Sequence, residues 1–248
     1  MTGVRGALPN LVIVGAMKCG TTTLHSALDL HPQVSMSQPK ELNFFVGTDD
    51  AGSSWAAGTW HRGADWYAAQ FDPAAPVRGE ASPGYTSPAH PEAAGRMAAL
   101  IPGASLVYAV RDPVERAVSQ YWHHRREGSE TRPPEEALLD PGSQYVARGR
   151  YLERLTPFLT TGVFEGRIHV VAQEDLREDP RATLRGLFAF LGVDDTCWTG
   201  EMAGRRNSAP ERPPAPAPAV RDRLRDELRD DAERLRAWAG RDFPGWSV

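Results

Sequence analysis

Cysteine is almost absent from this 248-residue chain. Its two cysteines, Cys19 and Cys197, are too few for a disulfide framework, which points to a reducing compartment. Long apolar runs are missing as well. None approaches the roughly 20 residues that cross a bilayer, and residues 1–10 carry no apolar signal core, so a soluble, cytoplasmic protein with no membrane span is expected. Nor is there an excess of positive charge. Lys and Arg number 28 against 32 Asp and Glu, a net charge of -4, which excludes a global basic field for nucleic acid and leaves anion recognition to local clusters. No self-similar period marks a repeat protein. With 41% hydrophobic residues, a chain of this length buries roughly 70 to 75% of its unfolded surface in one core, and one domain over residues 1–248 is the expectation.

What is present is concentrated in residues 11–23, Leu-Val-Ile-Val-Gly-Ala-Met-Lys-Cys-Gly-Thr-Thr-Thr. Leu11 to Val14 form a short run of the kind a sheet buries on both faces, and Gly15 lets the chain turn. From Thr21 through Leu30, the apolar Leu24, Ala27 and Leu28 recur at helical spacing, so the N–H groups of Gly20, Thr21 and Thr22 are expected to face the loop. A phosphate fits such a cup. Lys18 supplies a mobile charge, Gly20 a close backbone approach, and the Thr hydroxyls further donors. The residue order excludes a Walker A loop, in which Lys follows the second Gly, because Lys18 precedes Gly20. A plain surface turn with an incidental Lys is the competing reading.

Along the chain, strand and helix alternate. Strands are expected at 77–80, 105–110 and 168–172, and helices at 65–71, 88–100, 113–126, 134–139, 145–159 and 180–191. Such alternation calls for right-handed crossovers and an α/β fold: a parallel sheet flanked by helices, with ligands at the C-terminal strand ends. Residues 11–193 form this core. A loop and Pro-rich tether follow at 199–218, then a helix at 219–239 with Val220, Leu224, Leu228, Leu235 and Trp238 on one stripe, expected to dock on the core.

A second candidate anion site opens the 113–126 helix, where Pro113 suits the first turn. Arg111-Asp-Pro-Val-Glu-Arg-Ala-Val-Ser119 puts a guanidinium at the sheet edge and a hydroxyl about two turns into the helix. A phosphate can bridge them, unless Arg111 merely clasps Asp112 or another carboxylate. Between the two sites, Lys40-Glu41-Leu-Asn-Phe-Phe begins a long loop rich in Gly, Ser and Trp that ends near Gly63.

Lys18-Cys-Gly-Thr-Thr resembles the 5'-phosphosulfate loop of sulfotransferases that use 3'-phosphoadenosine 5'-phosphosulfate (PAPS). The branch with the heparan sulfate sulfotransferase domains and their bacterial relatives is most similar, in register over about 11–193. The resemblance implies a P-loop-like nucleotide-binding fold, PAPS as co-substrate and adenosine 3',5'-bisphosphate (PAP) as product, without a metal. It implies that Lys18, Cys19, Gly20, Thr21 and Thr22 hold the 5'-phosphosulfate, that Arg111 and Ser119 hold the 3'-phosphate, and that Glu41 takes the acceptor's proton. His123, rather than its neighbour His124, matches a His of the N-sulfotransferase members. Arg205 and Arg206 lie where the family places a basic loop over the nucleotide.

One segment departs from the branch. In Gly79-Glu-Ala-Ser-Pro-Gly-Tyr85 the family has Lys after the Glu, and here Ala81 stands there, with Lys40 a candidate to compensate. Glu80 either orients loop residues or is a buried, satisfied structural acid. Trp55, Trp60, Trp66 and Trp122 are expected to be core or rim anchors. The function implied is sulfuryl transfer to a hydroxyl or amine of a small-molecule, carbohydrate or natural-product acceptor. An ATP-dependent small-molecule kinase and a non-catalytic nucleotide-binding module are the alternatives.

Overall fold

The computed structural model describes residues 4–47, 57–204 and 215–248. Five strands form one all-parallel sheet in the order β2-β3-β1-β4-β5. β1 (Leu11–Gly15) is buried along its whole length, as its apolar sequence demands of a central parallel strand. α1 (Thr21–Asp29) carries the chain to the edge strand β2 (Val34–Met36), which the sequence reading did not anticipate because three residues show no period. α2 (Gly63–Ala68) leads back to β3 (Val77–Ala81), which pairs with β1.

The chain then crosses to the other side of β1. α3 (Ala93–Leu100) precedes β4 (Ser105–Val110), and α4 (Pro113–Glu127) follows it. The short α5 (Pro134–Ala137) and α6 (Gln144–Ala147) come before α7 (Tyr151–Thr160) and the far strand β5 (Ile168–Ala172). α8 (Gln173–Glu178) and α9 (Pro180–Leu191) complete the layered core, and α10 (Pro218–Ala239) lies against α4 and α7. The strand order reverses direction at β1, which opens a crevice at the C-terminal ends of β1 and its neighbours.

Several expectations are corrected. The segment 88–100 is helical only from Ala93, because Pro83–Thr86 forms a separate 3-10 turn and prolines follow it. The helix expected at 145–159 is two helices broken at Gly149, where an added Cβ would lie 2.9 Å from Leu228 Cδ2. Between the strand at 168–172 and the helix from 180, where no element was expected, α8 forms. On α10 the buried stripe is Val220, Leu224, Leu228, Ala232 and Leu235, whereas Trp238 is 38% exposed and lies off it. Arg205, Arg206, Trp55 and most of the Pro-rich tether lie outside the described residues. Among those described, no helix is long and apolar enough to cross a membrane.

Candidate active site

The loop after β1 and the loop after β4 meet. Arg111 Nη1 donates to the Lys18 carbonyl at 3.4 Å, so the two anion sites read separately from the sequence form one surface. Lys18 sits at φ 70° and Gly20 at φ 88°, the second a left-handed value that glycine adopts without strain as it opens α1. No side chain caps α1, which leaves its first-turn N–H groups directed at the crevice. A Cβ on Gly20 would come within 3.1 Å of Gln173 Nε2, so α8 holds the loop from behind.

Arg111 is not consumed by a carboxylate. Asp112 Oδ1 caps α4 by accepting from the Val114 and Glu115 N–H groups at 2.8 and 3.0 Å, and its Oδ2 accepts from the Ser247 N–H at 2.6 Å. Glu115 stands 4.0 Å from Arg111 Nη2 and is also engaged by Arg221. A pair that loose and partly exposed is worth about 0 to 1 kcal/mol, less than a charge-assisted bond to phosphate at about 1.5 to 3 kcal/mol. Arg111 Nε is buried and without a partner. That orphaned donor, beside the Gly20 turn, fits a bound anion.

α4 runs through the site. Ser119 and His123 follow Glu115 at four-residue steps and share its face. His123 Nε2 lies 3.1 Å from Glu127 Oε1. Burial first, and then the Lys18 charge, lowers the His123 pKa, so the ring is neutral near pH 7 and donates Nε2–H to Glu127. Lys18 in turn is lowered by burial and by Arg126 and Arg111, against an upward pull from Glu127. The structure thus brings Lys18 and His123 within electrostatic reach of each other. His124 instead turns to the Tyr145 hydroxyl at 2.9 Å.

The Glu41 loop lies over the same sheet edge. The Ala81 N–H donates to the Lys40 carbonyl at 3.2 Å, and Ala81 is the register partner of Ile13 in β1. His25 of α1 adds a 3.1 Å bond from Nε2 to the Ser37 carbonyl. Glu41 accepts from Lys40 Nζ at 2.6 Å while Phe44 and Phe45 are buried, so the ion pair and the aromatic anchors expected of an ordinary loop are both present. The pair is partly exposed and weak, which leaves Glu41 available to another donor. Lys18 and Lys40 are the only lysines in the chain.

Sequence reasoning missed three supports. The Tyr151 hydroxyl donates to the Arg111 carbonyl at 2.8 Å and lies 3.4 Å from Cys19 Sγ, tying the two loops together. Burial pushes the Cys19 thiol up to about 11, so it is a packing residue rather than a nucleophile. Arg148 is buried, donates to Ser87 Oγ at 2.9 Å and rests on Met17 Sδ at 3.6 Å under the Lys18 loop. Burial lowers its pKa to about 9. Glu174 accepts from the Asp112 N–H at 2.9 Å. All three contacts are remote in sequence, and no local pattern announces them.

The sequence profile described as the Sulfotransferase family matches residues 51–198. The chain belongs to the sulfotransferase family. It is 31% identical over 215 residues to the bifunctional heparan sulfate N-deacetylase/N-sulfotransferase 2 of Bos taurus, an overlap of 75% of this chain and 22% of that protein. The corresponding protein 1 of Caenorhabditis elegans is 29% identical over 205 residues, 76% of this chain and 22% of that one. The chain therefore spans about a fifth of the length of these relatives. A sulfotransferase crystal structure from Alicyclobacillus acidocaldarius aligns with TM-score 0.76 and 29% identity over 98% of this chain and 100% of that one. The sulfotransferase domain of the Synechococcus PCC 7002 olefin synthase shares the fold at TM-score 0.58 and 19% identity, covering 98% of each chain. The chain thus carries the parallel, helix-flanked sheet of the sulfotransferase family.

Proposed function

We propose that the protein moves a sulfuryl group from PAPS to a hydroxyl or amine of a small-molecule or carbohydrate acceptor, releasing PAP. The observation that carries this reading is the contact of Arg111 with the Lys18 loop, which sets two anion grips side by side on β1 and β4. A nucleotide with both 3' and 5' anions matches that pair. ATP, the donor of the kinase alternative, has no 3'-phosphate for the Arg111 and Ser119 grip.

In this reading Lys18 and the N–H groups of Gly20, Thr21 and Thr22 hold the 5'-phosphosulfate, and Lys18 neutralises charge on the departing oxygen. Arg111 and Ser119 hold the 3'-phosphate. Glu41 exchanges Lys40 for the acceptor and removes its proton as the acceptor attacks sulfur, help typically worth about 10²- to 10⁴-fold. Preorganised donors of this kind are each worth roughly 2.7 to 4 kcal/mol of barrier. His123, neutral and on the Ser119 face, is a further contact for acceptor or sulfuryl group. Lys40, bonded through its carbonyl to Ala81, stands beside the position where the resemblance puts a lysine. Arg205 and Arg206, which lie outside the described residues, are further candidate contacts for the nucleotide. One domain carries all of this, and the free Cys19 and Cys197 support a cytoplasmic setting.

The test is sulfate transfer from radiolabelled PAPS with and without chelator, beside thermal shifts with PAP and ATP. Transfer that survives chelation and a larger shift with PAP are expected, since a ligand of the native state raises the melting point. Preference for ATP with magnesium-dependent transfer would favour the kinase, and PAP binding without turnover on any acceptor the idle module. Glu41→Gln is expected to keep the PAP shift and lose about 10²-fold or more in kcat; near-wild-type turnover would remove the base role.

A further inference from the structure

Glu80 lies on β3, one residue before the strand ends, and is fully buried, with hydroxyls rather than cations as its partners among the described residues. Oε1 accepts from Tyr67 at 2.5 Å and from Tyr85 at 2.7 Å, and Oε2 accepts from Ser82 at 2.5 Å. Three hydroxyls thus satisfy the carboxyl group, and burial raises its pKa against the pull of those bonds.

Two of those hydroxyls have a second task. The Ser82 hydroxyl accepts from the Asn43 N–H at 3.0 Å, and the Tyr85 hydroxyl accepts from the Phe44 N–H at 2.8 Å. Two successive backbone N–H groups, at residues 43 and 44, are therefore tied to one carboxyl group, each through a hydroxyl that accepts from the backbone and donates to Glu80. Asn43 holds φ 48°, a left-handed value that asparagine adopts more readily than most residues, and the bonds of its own N–H and the next hold the turn there. Glu41 stands two residues before this pinned pair.

We infer that Glu80 is a positioning residue for sulfuryl transfer, whose hydroxyl relay through Ser82 and Tyr85 sets the backbone at residues 43 and 44 and so aims the nearby Glu41 carboxylate at the acceptor. This rests on Glu41 being the base. Tyr67 supplies the internal contrast. It donates to the same carboxylate and is as deeply buried as Tyr85, yet its hydroxyl bonds no loop N–H. Its ring stacks on Phe44 at 4.0 Å between centroids, a contact that phenylalanine keeps.

The experiment compares Tyr85→Phe and Ser82→Ala with Tyr67→Phe in three measurements. The first is the thermal shift with PAP, which reports folding and the nucleotide grips. The second is hydrogen exchange at residues 43 and 44 by peptide mass spectrometry. The third is kcat and KM for PAPS, with N-desulfated heparan chains as the amine probe and p-nitrophenol as the hydroxyl probe. Tyr85→Phe and Ser82→Ala are expected to keep the PAP shift, speed exchange at residues 43 and 44, and lower kcat about 10- to 100-fold at unchanged KM for PAPS, as a misplaced base does. Tyr67→Phe is expected to leave exchange and kcat near wild type, even where its melting point falls as far. Equal losses of kcat in Tyr67→Phe and Tyr85→Phe, or unaltered exchange in Tyr85→Phe and Ser82→Ala, overturn the proposal. Glu41→Gln run in parallel separates the two claims: normal turnover in that variant removes the base itself, whereas loss there with equal tyrosine variants removes only the relay.

Discussion

Arg111 and Lys18 differ in what a neighbour does to them. Arg111 has a fixed planar fork whose Nε has no partner among the described residues, so the fork is held ready for a phosphate that a point charge cannot replace. Arg111→Lys is therefore expected to weaken PAP binding by about 10-fold or more, the loss of one charge-assisted bond of about 1.5 to 3 kcal/mol, as read by titration calorimetry. Unchanged affinity would detach Arg111 from the 3'-phosphate. Lys18 is depressed by burial and by Arg126 and Arg111, and two opposite pH trends follow. Its charged form is disfavoured in the free fold, so its contribution to folding stability improves as pH rises through the depressed pKa. Its charged form is what an anion needs, so PAP affinity falls over the same interval, beginning below the ordinary lysine range near about 10.4. Calorimetric titrations between neutral and alkaline pH are expected to show that fall in wild type and to lack it in Lys18→Ala, which binds more weakly throughout.

At the scale of elements, α10 does more than cover a hydrophobic face. Its buried Asp231 accepts from the Leu152 and Glu153 N–H groups at 2.9 and 3.0 Å, and so caps α7, which has no capping side chain of its own. Asp231→Ala is expected to cost about 0.5 to 2 kcal/mol in chemical denaturation, while Trp238→Ala, on the exposed end of the same helix, is expected to change stability by no more than about 0.5 kcal/mol. Helices and strands with a whole period were legible: Leu24, Ala27 and Leu28 announce α1, and the apolar run of β4 announces itself. The break at Gly149 was not, because the apolar spacing continues across it and only the approach of Leu228 requires the missing side chain. β2 and α8 carry too few residues for any period to emerge.

Over the whole molecule, the legible half of the site is the half written in consecutive residues. Each anion grip is a strand end followed at once by a helix start, so Lys18 to Thr22 and Arg111 to Ser119 could be read locally. Their mutual contact, 93 positions apart in sequence, and the Tyr151 hydroxyl that ties them, 40 positions from Arg111, are products of packing alone. Glu80 stood between two readings in the sequence, buried acid or loop organiser; the folded chain shows the buried, satisfied acid, and the organising role is the inference drawn above. Ala81 marks where the sequence departs from the branch it resembles, and its N–H is bonded to the carbonyl of Lys40 there.

The scarcity of lysine turns this architecture into a chemical address. Every other cation of the chain is arginine, which acylating reagents leave untouched, so only Lys18 and Lys40 offer side-chain amines. Burial and neighbouring cations keep more of the Lys18 amine uncharged than on an ordinary surface lysine, and the uncharged amine is the one that reacts. Among side chains, a mild N-hydroxysuccinimide ester is thus expected to mark these two positions beside the terminal α-amine, with PAP shielding Lys18 and leaving Lys40 open, as peptide mass spectrometry would read. The same scarcity makes the crevice a ready place to tether a reporter or a covalent inhibitor without engineering the rest of the surface.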